Sequence, residues 1–131
     1  MNIEFLYNAI NKANNKQSDL PIEILEMEGM SSVKIRHLLN NICNFEGCNL
    51  LETGRYKGST LCSSIYNNSL TATSIEFWPN KEELDQTRKI VDENLEKTLK
   101  LETRYAPKNI KIIDEDCFLY NKKDLKLLTS Y

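Results

Sequence analysis

The stretch Asn49-Leu50-Leu51-Glu52-Thr53-Gly54-Arg55-Tyr56-Lys57-Gly58-Ser59-Thr60 decides how the rest of the chain is read. It opens with a short apolar run ending in a carboxylate and a glycine, the pattern of a buried strand running into a turn. Gly58 then stands where a helix begins, with Ser59 and Thr60 as cap residues. A ligand lying over the carboxyl end of such a strand needs a tight turn with no side chain in the way, and Gly54 supplies it. Gly58 lets the backbone pass close to the ligand. It also exposes amide N–H groups that suit a carboxylate or phosphate. The spacing E-x-G-x-Y-x-G is neither a P-loop nor a full G-x-G-x-x-G dinucleotide fingerprint.

Working outward, Gly58–Tyr66 reads as a helix with Leu61, Cys62 and Ile65 on one side. Thr71–Trp78 is β-branched and aromatic, hence a second strand. Pro79 and Asn80 start a long helix through Leu101, with Leu84, Val91, Leu95 and Leu99 on its buried stripe. Tyr105–Lys108 is a loop, Asn109–Asp114 a third strand, and Lys122–Leu128 a last short helix. Upstream, Ile3, Leu6, Tyr7 and Ile10 recur at helical spacing over Ile3–Ala13. Asn14–Asp19 is a polar connector, Pro21 opens an extended stretch over Ile22–Met27, and Gly29 breaks the chain. Ser31 or Ser32 then caps a second helix whose apolar stripe is Ile35, Leu38, Leu39 and Ile42. His37 falls on the opposite face and is expected in solvent. Strands alternating with helices predict α/β: a Rossmann-like parallel sheet with flanking helices, preceded by two helices.

The 131 residues, 40% hydrophobic and 27% charged, suit a single globular domain. Residues 1–48 are its N-terminal helical segment, and 49–131 its β-α-β-α-β-α ligand-binding half. A net charge of −2 argues against a general nucleic-acid binder. No apolar run is long enough to span a bilayer, and MNIEFLYNAI lacks the basic n-region of a secretory signal, so the expected compartment is the cytoplasm. Cys43, Cys48, Cys62 and Cys117 have no metal-ligand spacing, so no metal is expected; they read as buried thiols, with a Cys43–Cys48 disulfide left open. Arg55 and Lys57 are expected to be exposed charges, able to attract an anionic group.

The central stretch resembles the first motif of the class I S-adenosylmethionine-dependent methyltransferases, an acidic residue followed by x-G-x-G-x-G. Glu52, Gly54 and Gly58 match, and Tyr56 replaces the middle glycine. LETGRYKGST looks like the LEIG-x-x-x-GST variant of small-molecule and virus- or phage-type members. Glu76, 24 residues after Glu52, stands where the family places an acid at the end of the second strand. The resemblance implies that Glu76 accepts hydrogen bonds from both ribose hydroxyls and that Phe77 and Trp78 flank the adenine. The third strand leads into a stretch similar to the family's G-D-[AS]. There the resemblance implies Asp116 near the adenine amine and the backbone N–H of Cys117 beside it.

The similarity covers roughly residues 33–120. It implies S-adenosylmethionine as cofactor, held by Glu52, Thr53, Gly54, Tyr56, Gly58 and Ser59 together with the residues just named. Relative to the family the pattern is truncated after the third strand, matching its N-terminal half, so no catalytic residue is assigned. The place where a fourth strand would pair is then an open edge, which predicts a homo-oligomer or a partner covering it. Three functions fit: methyl transfer to a nucleophile, non-catalytic binding or sequestration of S-adenosylmethionine or an adenosine nucleotide, and cleavage of S-adenosylmethionine.

Overall fold

The computed structural model describes residues 1–116. Its elements are α1 (Ile3–Asn14), α2 (Ile22–Leu25), α3 (Val33–Ile42), β1 (Cys48–Thr53), α4 (Ser59–Ile65), β2 (Leu70–Ile75), α5 (Lys81–Leu101) and β3 (Lys108–Ile113). The three strands form one all-parallel sheet in the order β1-β2-β3. The α/β class and its parallel sheet are therefore as expected. The expected helix over Lys122–Leu128 lies outside the described residues.

Side-chain alternation divides the sheet into two faces. Cys48, Leu50, Leu70, Ala72, Ile110 and Ile112 point to one side, where they pack with Cys43, Ile42, Leu61, Ile65 and Leu95 from the helices. The other face exposes Asn49, Leu51, Thr53, Asn109 and Lys111. A second apolar cluster, Leu20, Ile24, Met27, Cys62 and Tyr66, joins α2 to α4. No helix among the described residues is long and apolar enough to cross a membrane.

The helix ends follow ordinary capping chemistry. Asn2, Ser32 and Asn80 each accept a backbone N–H with their side chains at the starts of α1, α3 and α5. At α4 neither Ser59 nor Thr60 caps. The N-cap is Gly58, left-handed at φ +90°, and a side chain there would meet Val91 of α5.

Three expectations are corrected. Residues 22–25 form a helical turn, not an extended stretch: Pro21 fixes the entry, and its carbonyl accepts from the amides of Ile24 and Leu25. The helix α1 is as expected, and its apolar stripe faces outward. Ile3, Leu6, Tyr7 and Ile10 are exposed, while Ala9 and Ala13 are buried where α1 packs closely on α3. On α5 Val91 and Thr98 are buried, whereas Leu99 is exposed.

The third correction concerns α3, whose expected stripe is split, with Ile42 packed on the core, and whose His37, expected in solvent, is buried. Ile35 is exposed, and the buried residues are Arg36, His37 and Asn40. This inverted face is stable because each polar group finds partners. Arg36 Nη1 donates to the carbonyls of Ile24, Leu25 and Met27, and Nε to Ser31 Oγ at 2.9 Å. Asn40 Nδ2 donates to the carbonyls of Ser63 and Tyr66. Asn68 Nδ2 donates back to the Asn40 carbonyl. The His37 ring meets Ser18 Oγ at 2.6 Å.

Burial, with a smaller push from Lys16, holds the His37 pKa below its ordinary value. Folded His37 therefore stays neutral at a pH where the unfolded chain takes up a proton, so its linkage works against the fold on acidification. Stability should fall as pH drops from about 7.5 to about 5.5. His37 is the chain's one histidine, so His37→Gln should flatten that slope. Chemical denaturation across this range checks it, and a wild-type protein that gains stability on acidification would contradict it.

Candidate functional site

The register makes the strands end flush. Thr53, Ile75 and Ile113 lie in one row. The ladder runs one step further, with Gly54 N donating to the Ile75 carbonyl and Glu76 N to the Ile113 carbonyl. Gly54, Glu76 and Asp114 therefore stand side by side just past the sheet, where ligands of open parallel sheets bind.

The loop from Gly54 to Gly58 rises from this row. Gly54 (φ +83°), Tyr56 (φ +47°) and Gly58 (φ +90°) are all left-handed. For Tyr56 that conformation is unfavourable, and it is held because Glu76 Oε2 accepts the Tyr56 N–H at 2.6 Å. Glu76 Oε1 accepts from Phe77 N. The Glu52 carboxylate lies below the loop, accepting from Thr60 Oγ1 at 2.6 Å and from Ser74 Oγ at 2.7 Å.

Arg55 is buried, contrary to expectation. Its Nη1 donates to the Ser74 carbonyl and its Nη2 pairs with Asp114, which also pairs with Arg88 of α5. Arg55 Nε is buried without a hydrogen-bond partner. Lys57 is half-buried, pairs with Glu28 at 2.6 Å, and places its Nζ 5.2 Å from the centroid of the Tyr56 ring. Tyr56 stacks on Trp78 with centroids 6.3 Å apart.

These residues enclose a cavity of about 530 Å³ lined by Met30, Ser31, Gly54, Arg55, Tyr56, Ser59, Thr60, Glu76 and Trp78. The volume lies in the usual range for small-molecule sites. A side chain at Gly54 would meet nothing within 4 Å, so this glycine opens onto free space. Of the residues singled out in the sequence, the structure gathers Gly54, Tyr56, Ser59, Glu76 and Trp78 around one cavity.

The others fall elsewhere. Glu52 supports the loop from beneath. Thr53 is exposed at the strand end, and Phe77 is exposed beside Trp78. Gly58 is buried against Val91 instead of opening toward a ligand, because α5 crosses there. Asp116 is not among the lining residues; the acid that reaches the loop is Asp114, through Arg55. Cys117 lies outside the described residues.

Met30, Ser31, Arg55 and Thr60 line the cavity without having been singled out as cofactor-binding residues. Thr60 and Arg55 sit inside the LETGRYKGST stretch and were within reach of the sequence. Met30 and Ser31 arrive from a distant segment and carry no motif. Cys43, Cys48 and Cys62 are buried free thiols, so no disulfide joins Cys43 to Cys48. Burial pushes Cys62 up to about 11 and Cys43 to about 12, so both stay protonated at neutral pH. Among the described residues no group of three His, Cys, Asp or Glu is placed to hold a metal ion. Comparison with family models and with curated proteins finds no match to the chain.

Two substitutions test the ion network. Asp114→Ala leaves Arg55 buried and facing Arg88 with no carboxylate between them, and should cost about 3–4 kcal/mol of stability. Arg55→Met leaves Asp114 paired with Arg88 and should cost less, about 1–2 kcal/mol. Urea unfolding of both variants checks the order, which equal losses would contradict.

Proposed function

We propose that this protein binds S-adenosylmethionine at the carboxyl ends of its parallel strands, as a methyltransferase-like protein. The observation that carries the reading is the cavity itself, where an acid just past β2, an aromatic pair and an open glycine turn meet. Glu76 lines it with one backbone amide on each oxygen, and a carboxylate has about four acceptor sites, so capacity remains for the two hydroxyls of a ribose. Tyr56 and Trp78 offer apolar ring surface to a purine. Ser31 and Ser59 offer hydroxyl donors, and Thr60, whose proton goes to Glu52, offers an acceptor.

In this reading the chain works by alignment. S-adenosylmethionine, when bound, would supply a sulfonium methyl for in-line transfer, and the cavity residues would hold it aligned with an acceptor nucleophile.

A second reading, a non-catalytic module that binds or sequesters the same ligand, is favoured by one observation. The two charged residues of the cavity, Arg55 and Glu76, are both engaged by groups of the chain itself. That arrangement suits holding a ligand more than moving protons. Production of S-adenosylhomocysteine from S-adenosylmethionine with a panel of small acceptors separates the two readings. Methylthioadenosine appearing instead would indicate cleavage.

Calorimetry with S-adenosylmethionine and S-adenosylhomocysteine tests the site. Micromolar binding to the wild-type chain is expected, with Glu76→Ala weaker by about 1–3 kcal/mol. Unchanged affinity in that variant would remove the ribose assignment, and no binding by the wild type would remove the reading.

A further inference from the structure

The cavity has one wall that comes from outside the strand-end loops. Residues 27–31, between α2 and α3, run across its mouth as a strap and contribute Met30 and Ser31 to the lining. The strap is fixed on both sides of Met30. Arg36 grips the Met27 carbonyl and the Ser31 hydroxyl. Glu28 is tied to Lys57 of the loop at 2.6 Å. Gly29 lies against α4 so closely that a Cβ there would stand 2.1 Å from Ser59 Oγ.

Met30 itself is 89% exposed. A large apolar side chain held in solvent by a pinned backbone, on the wall of a cavity that also contains Trp78 and Tyr56, contributes little to folding in the free protein. Ser31 has a related arrangement: its oxygen accepts from Arg36 Nε, which leaves the hydroxyl proton to donate.

We infer that the strap is the specificity-determining wall of the cavity, with Met30 packing its thioether on a flat ring and Ser31 donating to an acceptor on the ligand. The inference rests on the adenosine-type reading of the site and deepens it. The strand-end loops offer the sugar an acid, and the strap judges the ring. Thioethers pack well on aromatic edges and faces, and an unbranched side chain adapts to the ring it meets. Arg36 acts through the strap and is a positioning residue.

Calorimetry with S-adenosylhomocysteine as the probe, together with thermal unfolding of the same samples, tests this. Met30→Ala should bind about tenfold more weakly, because the thioether no longer covers the ring. Its unfolding temperature without ligand should be unchanged, because the side chain is solvated there. Met30→Leu, which restores the bulk, should recover most of the affinity. Met30→Ala binding as tightly as wild type would overturn the strap's role and leave the adenosine reading standing. Met30→Leu losing as much as Met30→Ala would also overturn the packing role. A wild-type chain that does not bind the probe would instead defeat the adenosine reading, and the strap inference would fall with it.

Discussion

Each of the three parallel strands delivers a carboxylate to the same place, and the loop between β1 and α4 depends on all three. Glu52, near the end of β1, ties Thr60 of α4 to Ser74 of β2. Glu76, just past β2, accepts the amide of Tyr56 at its left-handed position. Asp114, just past β3, holds the buried Arg55 in an ion network with Arg88. The flush register aligns the last two of these acids with Gly54. A loop with three positive φ values would otherwise be costly to order. Crossed by charge-assisted hydrogen bonds to Glu76 and Asp114, and flanked by the first turn of α4 that Glu52 anchors, it becomes a fixed rim. The cavity follows from that rim.

The helical half of the protein is organised by a different constraint, a polar interior. α3 turns Arg36 toward the carbonyls of Ile24, Leu25 and Met27, His37 toward Ser18, and Asn40 toward Ser63, Tyr66 and Asn68 of the α4 region, and leaves Ile35 outside. Buried polar networks of this kind tolerate few alternatives, because each unpaired member costs more than a pair contributes. The practical result is a rigid path from α3 through Arg36 to the strap, and so to the cavity's outer wall.

The order and type of the elements from β1 to β3 were legible because period and punctuation agree there. Apolar runs of strand length alternate with helical spacing, and Gly54, Gly58, Pro79 and Asn80 mark the joints. Glu76 and Trp78 were singled out by the resemblance alone, and the flush strand ends bring both to the lining of one cavity. What the sequence concealed was orientation. Setting Ile35 on an apolar stripe and His37 on a solvated opposite face assumes that apolar means inside. Here Ala9 and Ala13 let two helices approach closely, and paired polar groups fill the interior of α3. Periodicity cannot show that Arg36 has three carbonyls waiting for it. Nor does local pattern reveal that Asp114, not Asp116, is the acid facing Arg55, or that Met30 reaches a cavity formed by residues far along the chain.

Under the proposal, a ligand of the S-adenosylmethionine type would occupy the cavity between the strand-end loops and the strap. Trp78 lines that cavity and is the protein's one tryptophan, so its fluorescence reports on this site alone. Titration with S-adenosylhomocysteine should change the Trp78 emission saturably, with a midpoint matching the calorimetric dissociation constant. Calorimetric binding that leaves the Trp78 signal untouched would place the ligand elsewhere. The absence of both signals would contradict the account.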